Sequence, residues 1–102
     1  MTKEEGAARL DEFRILIDDV DRRIVEMLNE RTRVVEEIGR VKRLSGLPVY
    51  EPKREEQVFA NITRSNGGPL TPEALRRIFE RIIDEMRTIQ RVRMAADGDK
   101  KG

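Results

Sequence analysis

Apolar residues recur at alternating spacings of three and four along the first half of this chain, at Phe13, Ile17, Val20, Ile24 and Met27, then at Val34, Ile38 and Val41. That is the heptad seam of a helix that buries one stripe along its length. Only Gly39 interrupts it, and a glycine inside a helix costs roughly 1 kcal/mol. The pattern predicts one helix from about Glu5 to about Leu44, on the order of 60 Å long, which nothing in a lone chain of this size can cover. It stops in Ser45-Gly46-Leu47-Pro48, where glycine caps the end and proline forbids continuation. A second helix is predicted from Pro52, carrying Val58, Phe59 and Ile62 inward and ending before Asn66-Gly67-Gly68-Pro69. Thr71 as cap and Pro72 as first helical residue open a third. Its apolar face runs through Leu75, Ile78, Phe79, Ile82, Ile83, Met86 and Ile89 to about Met94.

These elements make an all-α chain with three helices and one domain over residues 10–96. A frayed N-terminus is expected over 1–9 and a flexible C-terminal tail over 97–102. Composition agrees, since Ala, Glu, Lys, Arg and Leu supply 47 of the 102 residues, close to the roughly 50% typical of long helices and coiled coils. Aromatic residues are only 4%, which disfavours a β-sandwich or barrel. Twenty-one basic residues stand against twenty acidic ones, so the chain lacks the charge expected of a nucleic-acid or membrane-surface binder. Arg76, Arg77, Arg81, Arg87 and Arg91 do not overturn this, because Glu73, Glu80, Asp84 and Glu85 interleave with them and suggest a solvated face. The chain has no His and no Cys, which removes disulfides, thiolate chemistry and imidazole mechanisms. Chemistry therefore has to run on Arg, Lys, carboxylates and amides. No apolar run approaches the ~18 residues of a membrane span, and Met1 to Arg9 is too polar for a signal peptide. A cytoplasmic protein is expected.

The informative positions are polar residues where the pattern wants apolar ones. Arg31 occupies a seam slot, and a buried guanidinium needs a partner. It can snorkel or meet a carboxylate, yet Lys42 lies eleven residues later, within about 20° of the same face and roughly 16 Å along the axis. Two such side chains can lean toward one small anion. Gln90 falls on the apolar stripe of the third helix, as a core glutamine satisfied by backbone or as a pocket amide. Arg54 and Glu55 lie in the first turn of the second helix, where Glu55 also suits the helix dipole. Arg14, about 25 Å before Arg31 on the same helix, reaches that pocket only from an antiparallel second chain.

Taken together, Arg14, Asp21, Glu30-Arg31, Ile38-Gly39-Arg40-Val41-Lys42, Pro52-Lys53-Arg54-Glu55-Glu56 and a closing Gln90 resemble the AroQ class of chorismate mutases from about Leu10 to Gln90. The resemblance implies an intertwined helical homodimer with two equivalent sites, each taking Arg14 from the other protomer. It implies chorismate as substrate, with Arg31, Lys42 and Arg54 as binding cations. Glu55 would be the carboxylate on the substrate hydroxyl, and Gln90 the amide near the ether oxygen. Two substrate-contacting positions depart from the commonest pattern. Glu51 replaces a frequent aspartate and is one methylene longer, and Met86 replaces a frequent small hydroxyl residue.

Conversion of chorismate to prephenate is an intramolecular Claisen rearrangement that needs no nucleophile, proton shuttle, metal or cofactor. Arginine forks suit the two substrate carboxylates. Donors from Lys42, Gln90 and Arg31 suit the charge developing in the transition state. Association with or fusion to another shikimate-pathway enzyme fits so small a chain. The rival readings are an isochorismate pyruvate lyase, which shares this fold, and a non-catalytic helical dimerisation or docking module. The inward Arg31 and Gln90 speak against the second, since a plain zipper does not need them.

Overall fold

The computed structural model describes residues 1–99, with side-chain surroundings given through 96. It is all-helical, with α1 over Lys3–Ser45, α2 over Pro52–Ser65 and α3 over Pro72–Asp99. The chain divides into two units, residues 1–33 and the remainder from 34 onward.

In the first unit the helix starts earlier than its hydrophobic pattern does. Thr2 Oγ1 accepts a hydrogen bond from the Glu5 amide at 3.1 Å, and Glu4 and Glu5 place acid in the first turn. A Thr followed three residues later by Glu is a capping-box sequence, and the hydroxyl satisfies an amide left without an intrahelical partner. Helix therefore begins at Lys3, inside the span 1–9 expected as the N-terminal segment. The polar flank carries ion pairs at helical spacing, Arg22 with Glu26 at 3.5 Å and Arg23 with Asp19 at 3.4 Å. The apolar seam stays uncovered in the single chain, with Phe13 53%, Ile17 57% and Met27 60% exposed.

In the second unit Val35, Phe59, Ile83 and Met86 form the buried apolar core, and α2 packs on α3. Phe59 also carries the Arg76 guanidinium 4.1 Å above its ring, so that cation covers the core rather than facing solvent alone. The buried residues of α1 here are Val35, Gly39 and Lys42, spaced four and three apart along one stripe. That stripe is about 100° round the helix from Val34, Ile38 and Val41, which remain exposed. The heptad reading therefore identified the helix but not the face it buries within its own chain. A stripe made of valine, glycine and lysine carries too little apolar signal to be seen. On α3, Ile78 is likewise exposed, as is Val92.

Gly46 ends α1 with φ at 68°, the Leu47 amide donating to the Lys42 carbonyl at 2.8 Å and the Gly46 amide to the Arg43 carbonyl at 3.4 Å. This is a Schellman-type cap, in which glycine supplies the left-handed residue. Pro52 opens α2 after Glu51. The Ala74 amide donates to Thr71 Oγ1 at 3.2 Å, as the third helix start requires. α3 continues to Asp99, so residues 97–99 of the expected tail are helical, Ala95 and Ala96 being good helix formers. Residues 100–102 lie outside the described part. Among the described residues no helix is long and apolar enough to cross a membrane.

The two glycines of α1's C-terminal part are expected to respond oppositely to alanine. Gly46→Ala forces a Cβ into the left-handed region and should destabilise by about 1 kcal/mol. At Gly39 an added Cβ would stand 3.6 Å from the Gln90 Cα and Cγ, an ordinary contact, so Gly39→Ala should stabilise by up to about 1 kcal/mol. Urea unfolding of both variants checks the pair, and a loss at Gly39 would show that the α1–α3 approach is tighter than this.

Candidate active site

Lys42 is the organising residue, and the chain delivers it by ending α1 where it does. The lysine lies in the last turn of α1 and its side chain is only 8% exposed. An ammonium has three protons to give, and three acceptors surround this one. They are the Val49 carbonyl at 2.9 Å, Gln90 Oε1 at 3.0 Å and Glu51 Oε1 at 2.7 Å. The turn after Gly46 brings Val49 and Glu51 back over the helix end, while Gln90 comes from α3.

Gln90 gains a defined orientation from this contact. Lysine only donates, so the amide oxygen must face it and the amide NH₂ is left to point elsewhere as a donor. Gly39 packs against the Cα, Cβ and Cγ of Gln90. Sequence reading treated Gly39 as a tolerated interruption; the structure places it where α1 meets Gln90. Glu51 occupies the N-cap position of α2 but makes no side-chain cap bond. Its extra methylene reaches Lys42 instead.

A second ion pair lies one helical turn away on α3. Arg87 Nη2 stands 2.6 Å from Glu55 Oε2, the two side chains 23% and 24% exposed. Arg87 Nη1 reaches Asp84 Oδ1 at 3.4 Å, and its guanidinium lies 5.1 Å over the Tyr50 ring. The hydrogen bond that Arg87 donates to Glu55 raises the Arg87 pKa above its ordinary value, with burial acting in the opposite direction and the charges of Glu55 and Asp84 adding to the rise. Arg87 is therefore a fixed cation at every working pH. Sequence reading had assigned it to a solvated face, and this is a correction. The available signal was its spacing, three residues before Gln90 and so on the neighbouring part of the same helix face.

The remaining expected residues are placed as follows. Met86 is 6% exposed and belongs to the buried core. Arg54 is exposed on α2 and donates to Gln57 Oε1 at 3.4 Å, so it is not drawn into the Lys42 cluster. Arg31 is half-buried on α1. Arg14 is exposed and pairs with Asp11 at 3.2 Å. Lys42, Glu51 and Gln90 are thus brought together, Glu55 is brought to Arg87, and Arg14 and Arg31 lie in the first unit.

What the second unit offers is a buried cation beside an oriented amide, next to a carboxylate held by an arginine. Such a set can bind an anionic ligand and stabilise negative charge on an oxygen. Comparison with known proteins gives this geometry its context. The family model for chorismate mutase type II matches residues 13–91. A bifunctional chorismate mutase/prephenate dehydratase of Aquifex aeolicus is 35% identical over 96 residues, 89% of this chain and 26% of the relative. The chain thus spans about a quarter of that bifunctional protein. A chorismate mutase of Methanocaldococcus jannaschii is 25% identical, covering 81% of this chain and 85% of its own length. The solved form II structure of chorismate mutase from Thermus thermophilus superposes with a TM-score of 0.79 at 40% identity, covering 81% of this chain and 94% of that one. With the match running from the seam of α1 to the residue after Gln90, the chain belongs to the chorismate mutase type II family, a family of isomerases.

Proposed function

We propose that this chain catalyses the rearrangement of chorismate to prephenate, with residues 10–96 as the catalytic domain, in the cytoplasm and on the route to aromatic amino acids. The observation that carries the reading is Lys42, a nearly buried ammonium that engages the Gln90 amide oxygen and so leaves the amide NH₂ as the group that donates elsewhere. The breaking C–O bond leaves its oxygen electron-rich in the transition state, and two preorganised donors stabilise it more than they stabilise the ground state. Of the three acceptors around Lys42, the Glu51 carboxylate sits on the most exposed side chain, at 48%. It is the one a ligand oxygen can replace.

Arg31 and Arg54 bind the substrate carboxylates in this reading, holding the compact conformer in which the reacting carbons face one another. Glu55 accepts from the substrate hydroxyl, and Met86 lines the site where a hydroxyl residue would make one more polar contact. Arg14 joins from a second copy of the chain. The exposed seam of α1 supports that homodimer, since a row of large apolar side chains is stable in water only when covered. The relatives that carry a second activity make fusion to or association with another enzyme of the pathway a natural context.

The direct test is loss of chorismate absorbance on adding protein, with prephenate identified after acid conversion to phenylpyruvate. A rate proportional to protein supports the reading, whereas pyruvate release from isochorismate without chorismate turnover would replace the mutase with a lyase. Lys42→Ala or Arg31→Ala should lower turnover on the order of 10²-fold or more, the scale for one preorganised donor. Unchanged rates in both folded variants would sink the site assignment.

Two further outcomes are expected. With no His and no Cys in the chain, no side-chain type present ordinarily titrates between about pH 6 and 9, so kcat should be nearly flat there. A steep bell centred on neutrality contradicts the mechanism. The shared site makes a mixing experiment decisive. Arg14→Ala and Lys42→Ala are each nearly inactive alone, but a mixed dimer carries one native site. Refolding them together in equal amounts should restore about a quarter of native activity, and no recovery would place Arg14 outside the site.

A further inference from the structure

We propose that Arg87, by pairing with Glu55, makes the site select a neutral hydroxyl over an ammonium group on the substrate ring. The inference rests on the reading that Glu55 meets the substrate hydroxyl, and concerns a residue to which that reading gives no role.

A lone carboxylate in a partly buried site prefers a cation. An ammonium brings both charge and donors, so by itself Glu55 would favour an amine substituent over a hydroxyl. Arg87 changes this. Its Nη2 holds Glu55 Oε2 at 2.6 Å with both groups about three-quarters covered, which makes the pair neutral as a unit. Oε1 remains to accept from a hydroxyl, which needs one good acceptor and no countercharge. An ammonium at the same place would instead meet a fixed guanidinium nearby, with little water to screen the repulsion.

The cation is also prevented from withdrawing. Asp84 Oδ1 stands 3.4 Å from Nη1, the Tyr50 ring lies 5.1 Å beneath the guanidinium, and the hydrogen bond to Glu55 keeps it charged. The backbone that carries Glu55 is held in the first turn of α2, where its amide donates to the Glu51 carbonyl at 3.0 Å. Lysine could supply the charge at this position but not the planar fork, so part of the effect should survive Arg87→Lys. Arg87 is a positioning residue: it acts on the ligand through Glu55.

The experiment measures kcat/KM for chorismate and for 4-amino-4-deoxychorismate, in which an amine replaces the ring hydroxyl, using the native chain and three variants. Arg87→Met should shift the preference toward the amine by on the order of tenfold, the scale of a hydrogen bond to a charged group. Arg87→Lys should return most of the native preference. Glu55→Gln leaves Arg87 uncompensated, so the amine substrate should lose on the order of tenfold more than chorismate does. If Arg87→Met proves unfolded by circular dichroism, the Lys and Gln variants still decide the matter. Equal losses for both substrates across the folded variants would make Arg87 merely structural and overturn the inference while leaving the mutase intact. A native chain that turns over neither substrate would remove the mutase reading and this inference together.

Discussion

An ammonium taken out of water is stable only where acceptors replace the hydration shell it gives up, and at Lys42 three of them do. Each comes from a different part of the second unit: the loop carbonyl of Val49, the residue that opens α2 and an amide on α3. Satisfying one cation therefore ties the end of α1, the connecting turn and both later helices to a common point. Removing any one acceptor leaves a buried charge under-solvated, which is costly. The Schellman turn at Gly46 serves the same end, because it returns the chain over the helix terminus.

A structural requirement of this kind also prepares a chemical site. Because lysine can only donate, its contact with Gln90 fixes which end of the amide is presented, and a neutral side chain becomes an oriented donor without any shift in protonation. Arg87 does something parallel for Glu55, one turn away on α3. The pairings draw on different properties, acceptor geometry in one and charge balance in the other. Both depend on α3 presenting residues 86, 87 and 90 along neighbouring lines of a single helix.

The long first helix has two separate tasks on two faces. Val35, Gly39 and Lys42 are buried within the chain, while Phe13, Ile17, Val34, Ile38 and Val41 stand exposed. Among the described residues no element covers the second set. A long apolar seam left exposed in water is the feature on which the proposed homodimer rests.

The helices themselves were legible from the sequence, because period, caps and breakers are local properties: Pro52, Thr71-Pro72 and Gly46 act through backbone geometry within a few residues. α1 begins two residues ahead of the expected start, because the Thr2–Glu5 capping signal lies ahead of the first apolar repeat. Gln90 was legible as a polar residue on an apolar stripe, Lys42 by its spacing from Arg31, and Glu55 as an acid in a first turn. What tertiary structure alone decided is which side chains share a partner. Periodicity gives a residue's angle round its own helix but not the neighbour it meets. Thus Arg87 looked like any solvated arginine until packing placed Glu55 and Tyr50 against it, and Gly39 looked like a flaw until Gln90 filled the space beside it. The face of α1 buried within the chain was likewise hidden, because hydrophobic pattern records how much a stripe wants to leave water, and a stripe of valine, glycine and a fully partnered lysine leaves it for packing and hydrogen bonding instead.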